Sequence, residues 1–485
     1  MNDRSHLDEA AGARAHARSK ALPGDGVRFD AATAALILIA LVLFLAHASP
    51  LRHVDTNAFY CGARVLGAGD DPYRFGALHS CEAANLNLSA NQAVPNPLPP
   101  YAMAMWRPLT FLSFGQANVV WLLLILASAC VITYSVVRLT GFPFWLVGGC
   151  VLADTLVEPL ANGAMAPIPI ALLCAAAVAL MRGRMILSSF LLGLAAIQPH
   201  VAVPVILTAF LLVPKMRVWL AIVVGLFLTA TFATGSALNI EYVTRVLPLH
   251  AVSEFGSSNQ YGLSTILHLL GLPDKLALAV GSFQYAAFVV VGIVLARALQ
   301  YTIPGCIVLA PLTCAVTGGT FIHQTEIAGA LPFAFVVAAS VPTTVAWLAV
   351  TILAIPLEYV LDYGFTLVAG LVVCLVLLYR TRLGSIGAVV TGLLLSVGFM
   401  LAHNMVRIRV LHIVPPRMSA NTFADIAWKV MQGGFPPLNA FWWPTHVLTY
   451  VGLALVLWTA FEAPRREDAR TPSLVMVPSR QPFSV

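Results

Sequence analysis

The run NVVWLLLILASACVITYSVVR, from Asn118 to Arg138, carries no charged residue before its last position, and it is one of many such runs between Ala31 and Phe461. A chain built this way has few options. In hydrocarbon every backbone N–H and C=O must find its partner inside the protein, so apolar stretches of this length become helices. The 485 residues have room for roughly a dozen spans of about 20 residues each, with connecting loops. Apolar residues make up 59% of the chain and charged residues 10%, against roughly 25% charged in a soluble domain. The expected fold class is an all-α polytopic membrane protein with one integral domain.

Helices are expected over 31–48, 118–138, 144–156, 169–181, 185–196, 201–213, 219–234, 276–298, 303–318, 327–339, 344–360, 365–379, 383–401 and 446–461. The pair 185–196 and 201–213 is too short for two crossings of about 20 residues. Gln198, Pro199 and His200 interrupt it, and it reads as a hairpin that enters and returns. With the N-terminus inside, Arg138, Arg182, Arg184, Lys215, Arg217, Arg297, Arg380, Arg382, Arg465 and Arg466 all fall on the cytoplasmic face, as the positive-inside rule requires. The organisation expected is a cytoplasmic tail over 1–30, an integral domain over 31–461 and a cytoplasmic tail over 462–485. Outer loops then span 49–117, 235–275 and 402–445, in a plasma membrane of the bacterial type.

A net charge of +6 with no dense Lys/Arg block gives no surface for nucleic acid. No Walker loop, HExxH, CxxC or GxSxG occurs, and the histidines lack metal-ligand spacing, so neither a metal nor a cofactor is expected. Six cysteines lie in apolar runs, as small buried hydrophobes do. Cys61 and Cys81 lie in the large first loop and are the disulfide candidates if that loop is outside the cytoplasm.

The segment from His53 to Pro108 is the longest polar stretch between apolar runs, and the chain is organised around it. Asp55 follows the first run closely. Read alone it is either a solvated loop carboxylate or, with its pKa raised by an apolar wall, a general base at the bilayer edge. Asp71, Pro72 and Tyr73 form a turn, and Tyr101 and Trp106 are expected in the interfacial aromatic belt. Asn259 and Gln260 offer amides to sugar hydroxyls or phosphate oxygens. His323 stands in a tight outer turn with Gln324 and Glu326. Arg407, Arg409 and Arg417 collect positive charge on the outer side, where a phosphate or anionic headgroup would account for them.

Taken in order, several of these stretches resemble the polyprenyl-phosphate-sugar-dependent glycosyltransferases of the GT-C fold, most closely the polyprenol-phosphate-mannose-dependent alpha-mannosyltransferases of family 87. The likeness is carried by Asp55 with Phe59 and Tyr60, by Asp71-Pro72-Tyr73, by the proline-rich re-entry from Pro97 to Pro108, by GLAAIQPH at Gly193 to His200, and by the outward His323. It implies a GT-C-like helical bundle with a large first outer loop. It also implies a hexose moved from a polyprenyl-phosphate sugar to a glycolipid or glycan acceptor, with inversion and without metal. Asp55 would be the base and His323 would lie near the donor phosphate or the acceptor. Asp71, Tyr73, Asn259, Gln260, Gln198, His200, Arg407, Arg409 and Arg417 would contact substrate, and membrane lipids are the other expected partners. Two positions depart from the family pattern: Gln198 stands where its lysine precedes the proline, and Gly163-Ala164 where it has Gly-Gln. The competing reading is a lipid-linked-sugar transporter or flippase. Such a protein would set its polar groups near the midplane and show related halves, whereas here they gather at one face.

Overall fold

The computed structural model describes residues 53–470 apart from 87, 89, 90, 258, 259, 358–362, 381–384, 406–415 and 433–441. The helix expected over 31–48 lies outside the described residues, as do Asn259, Arg407 and Arg409. The protein is an all-α polytopic membrane protein. Among the described residues there is no strand, only the isolated bridges Arg74 with Phe423 and Gln260 with His323.

Among the described residues, four helices are long and apolar enough to cross a membrane: Phe114–Thr140, Pro214–Ala233, Asp274–Leu299 and Thr445–Ala463. The first starts at a capping box, in which Ser113 and Gln116 satisfy each other's backbone N–H, and ends at Gly141 in the left-handed conformation. Along Pro214–Ala233 the side chains of Val218, Ile222, Leu226, Leu228 and Phe232 are all exposed. Leaving five such side chains in water costs on the order of 10 kcal/mol, as much as a whole domain's net stability. That face is therefore solvated by lipid.

The hairpin expected around Gln198 is two short helices, Met185–Ala195 and Pro199–Leu212, and Pro199 opens the second where its missing N–H costs nothing. Elsewhere boundaries differ from expectation. The helix expected to end at 156 runs on through a π turn, Leu152–Leu156, to Asn162, and the one expected to reach 360 stops at Ala354. The large first loop is itself mostly helical, with Val54–Ala68, Phe75–Asn85 and Pro100–Trp106. The outer segment 235–275 likewise folds into short helices, among them Leu247–Ser253 and Leu263–Leu269. Trp106, expected at the interface, is buried with its ring centroid 3.8 Å from that of Trp121 and 5.4 Å from that of Phe59. The indole seals the first loop onto Phe114–Thr140 instead of marking a membrane boundary.

Alternate helix ends converge. Gly305 sits against Leu139 and Ala177, and Phe142, Trp347 and Tyr379 form one aromatic cluster beneath Arg380. These turns belong to the basic set. The opposite ends, at Asp55, Asn162 to Ala166, Ile197 to His200 and Phe321 to Glu326, meet around one cavity.

Candidate active site

The Val54–Ala68 helix brings Asp55 to that cavity, and three contacts fix its start. His53 reaches Leu160 O at 2.9 Å through Nε2 and the Asn118 amide at 2.8 Å through Nδ1. Thr56 packs on Gly163, whose φ of 79° and missing Cβ are both required, because a Cβ there would lie 1.9 Å from Thr56 Oγ1. Trp121 Nε1 donates to Gly163 O at 2.9 Å. The disulfide between Cys61 and Cys81 ties this helix to Phe75–Asn85.

Proline-rich backbone from Val94 to Pro99 forms the next wall. It has no regular partner strand or helix, so side chains satisfy it. Glu82 Oε2 accepts from Val94 N–H at 2.9 Å, Asn96 Oδ1 accepts from Leu98 N–H at 2.9 Å, and Tyr242 OH donates to Pro97 O at 2.9 Å. Tyr73 OH donates to Leu98 O at 2.8 Å. Tyr101, also expected in the belt, donates to Ala196 O at 2.8 Å and so holds the apex of the Gln198 hairpin. Asp71 accepts from Tyr73 N–H at 3.0 Å and pairs with Arg74 at 2.7 Å. Neither Asp71 nor Tyr73 lines the cavity; both brace its wall.

The cavity measures about 870 Å³ and is lined by apolar groups such as Leu98, Met165 and Leu247 together with a polar cluster. The volume suits a substrate of several hundred daltons. Asp55 makes no hydrogen bond or ion pair to any described residue, and its free surface faces the cavity. Burial pushes its carboxyl up to about 6, with His323 pulling the other way and Glu254 adding to the rise. For His323 burial alone would lower the value, but Glu254, Glu326 and Asp55 carry it up to about 9. At neutral pH the cavity thus holds a largely ionised carboxylate and an imidazolium.

Glu326 organises the hairpin apex. Its Oε1 accepts from Gln198 Nε2 at 3.1 Å and meets His200 Nε2 at 2.9 Å, while Oε2 accepts from His323 N–H at 2.9 Å. Burial favours its protonated form, yet His200 and His323 hold it below the usual carboxylate range. Among the described residues lining the cavity there is no lysine or arginine, so His200, His250 and His323 are the side chains able to carry positive charge there. Arg417 is exposed and off the cavity. Gln260 also lies off the lining, but its amide touches His323.

Sequence reasoning did not single out Glu254, Trp428, Tyr242 or His250, all of which line the cavity. Glu254 and His250 had one signal: an acid and an imidazole four residues apart in an outer segment, sharing a helical face.

Fold and site together define an integral membrane protein whose catalytic-type groups converge on one cavity at the end of its helical bundle away from the basic turns. Residues 98–317 match the sequence profile of Glycosyltransferase family 87, and the activity class this indicates is glycosyl transfer. Comparison with curated proteins gives no match, and comparison with solved structures gives none either.

Proposed function

We propose that the protein moves a hexose from a polyprenyl-phosphate donor to a lipid or glycan acceptor on the extracytoplasmic side of the membrane, within a GT-C-like architecture. The observation that carries this reading is the shared cavity of Asp55, an unpartnered carboxylate raised to about 6, and His323, raised to about 9. Asp55 takes the proton of the acceptor hydroxyl. The oxygen attacks the anomeric carbon as the bond from that carbon to the phosphate oxygen breaks, with inversion. The polyprenyl phosphate leaves with the bonding pair, and His323 meets its developing charge. A phosphate leaving group needs no general acid, and the mechanism calls for no metal. The apolar part of the cavity suits the first units of the lipid chain.

The test is transfer from a panel of radiolabelled polyprenyl-phosphate sugars into membrane glycolipid or glycan, with Asp55→Asn beside the native protein at matched expression. Transfer that falls by about 10²-fold or more in the variant supports the base. Equal transfer by both removes Asp55 from the mechanism, and no transfer from any donor moves the protein to the lipid-linked-sugar transporters.

A further inference from the structure

Glu254 follows the Leu247–Ser253 helix and is almost fully buried. A buried carboxylate is stable only when its oxygens are engaged. The Trp428 indole N–H is hydrogen-bonded to Oε1, and Oε2 faces His323 Nε2 at 3.8 Å. Trp428 comes from the Ala424–Gln432 helix, far along the chain and outside the span that matches family 87.

Two rungs join these helices. His250 and Glu254 stand four residues apart on one, Asp425 and Trp428 three apart on the other, so each pair shares a face. Asp425 Oδ1 meets His250 Nδ1 at 2.7 Å, and Trp428 meets Glu254. The second helix is in turn locked onto the first loop: Ala424 N–H donates to Tyr73 O at 3.0 Å, and the Arg74 guanidinium lies 3.9 Å over the Phe423 ring. Lys429 pairs with Asp274 at 2.9 Å.

We propose that Glu254 is a positioning residue for His323, and that the 416–432 segment completes the site by holding Glu254 through Trp428. The proposal rests on the reading of His323 as the group that meets the donor phosphate. Three carboxylates bear on His323: Glu254, Glu326 and Asp55. Glu326, on its own turn, is committed to the His323 backbone, His200 and Gln198. Asp55, from the first-loop helix, faces the cavity. His250 bears on Glu254 and is itself backed by Asp425. Glu254 is therefore the anion whose remaining free oxygen is directed at the imidazole. The Gln260 amide reaches the same ring nitrogen: its Nε2 lies 2.8 Å from His323 Nε2 while its Oε1 is buried without a partner. Half a turn of the amide exchanges the two atoms and lets Oε1 accept the imidazolium proton.

The competing role for Glu254 is a staple between two helices, and Glu254→Gln separates the two. The glutamine oxygen still accepts from Trp428, so the staple survives, while the charge is removed. The experiment follows the histidine resonances of the full chain, ¹⁵N-labelled at histidine and reconstituted in nanodiscs, against pH, with the His323 signal assigned by its loss in His323→Gln. In Glu254→Gln the His323 midpoint should fall by roughly one to three units, and the alkaline limb of the transfer rate should move down with it. Trp428→Phe, which removes the indole donor together with part of the ring, should move both in the same direction by less, and adding it to Glu254→Gln should give less than the sum of the two shifts. A folded Glu254→Gln protein with an unchanged His323 midpoint overturns the proposal and leaves Glu254 a staple; should that variant not fold, an unmoved midpoint in Trp428→Phe does the same. The titration needs no substrate. If the native protein transfers no sugar, the functional reading fails while the midpoint still decides the role of Glu254.

Discussion

Asp55 and His323 are useful together only while one has lost its proton and the other has kept it. The Asp55 carboxyl, raised from 3.8 to about 6, is protonated and inactive as a base below that pH. The His323 imidazole, raised from 6.5 to about 9, loses its charge above it. The two signs bracket a window, and kcat/KM for sugar transfer should rise about tenfold per pH unit below about 6, level, and fall above about 9. A pH–rate profile on reconstituted protein checks this, and an optimum below pH 5 would mean that the ionised Asp55 is not the working form. The width of the window comes from burial opposed by charge. Asp55 has no counter-ion in contact, so desolvation dominates; His323 faces three carboxylates, so charge overrides desolvation. Sequence carries the first condition, since Asp55 stands next to an apolar run. It carries the second poorly, because Glu254 is 69 positions from His323, and such a distance has no pattern to betray it.

Among the elements, two of the first-loop helices are joined by a covalent tie as well as by packing. The disulfide between Cys61 and Cys81 closes a loop with a sequence separation of 20, for which chain entropy gives about 3 kcal/mol. Changing both cysteines to alanine should strip hydrogen-exchange protection from Phe75–Asn85 by a comparable amount, while Phe114–Thr140 keeps its protection. Equal protection in both proteins would mean that packing alone holds the pair. Helices of this kind also explain where sequence reading succeeded. The apolar runs at Phe114–Thr140 and Asp274–Leu299 announced themselves because lipid solvates an outer face and forbids charge along it. Val54–Ala68, with two glycines and β-branched residues, has weak helical preference of its own. It is helical because Phe59 packs on Trp106 and Trp121, and because His53 and Thr56 are pinned to the bundle. Tyr101 and Trp106 misled for the same reason: amphipathic rings suit an interface and a buried wall equally well.

At the scale of the whole molecule, charge and chemistry separate along the bundle axis. The turns that carry Arg138, Arg182, Arg184, Lys215 and Arg380 follow helix ends opposite those that build the cavity, as the contacts of Gly305 with Leu139 and Ala177 and of Arg380 with Trp347 require. The proposed placement of the cavity on the outer side rests on a positive-inside bias, and a disulfide in the first loop agrees with an oxidising compartment there. The arrangement makes chemical sense for a lipid-linked donor, whose phosphate sits at the headgroup level while its chain stays in hydrocarbon. It is testable with two exposed positions at opposite ends, Asn421 beside the cavity wall and Arg184 in a basic turn. Among the free thiols of the described residues Cys130 is exposed and Cys374 half-buried, and replacing both by alanine gives a quiet background. In that background, Asn421→Cys should react with a membrane-impermeant maleimide on intact cells, and Arg184→Cys only after permeabilisation. The reverse pattern would turn the protein over, put the cavity in the cytoplasm and exclude a donor presented on the outer leaflet. Labelling of both on intact cells would break the bilayer assignment itself, because a span cannot then lie between them.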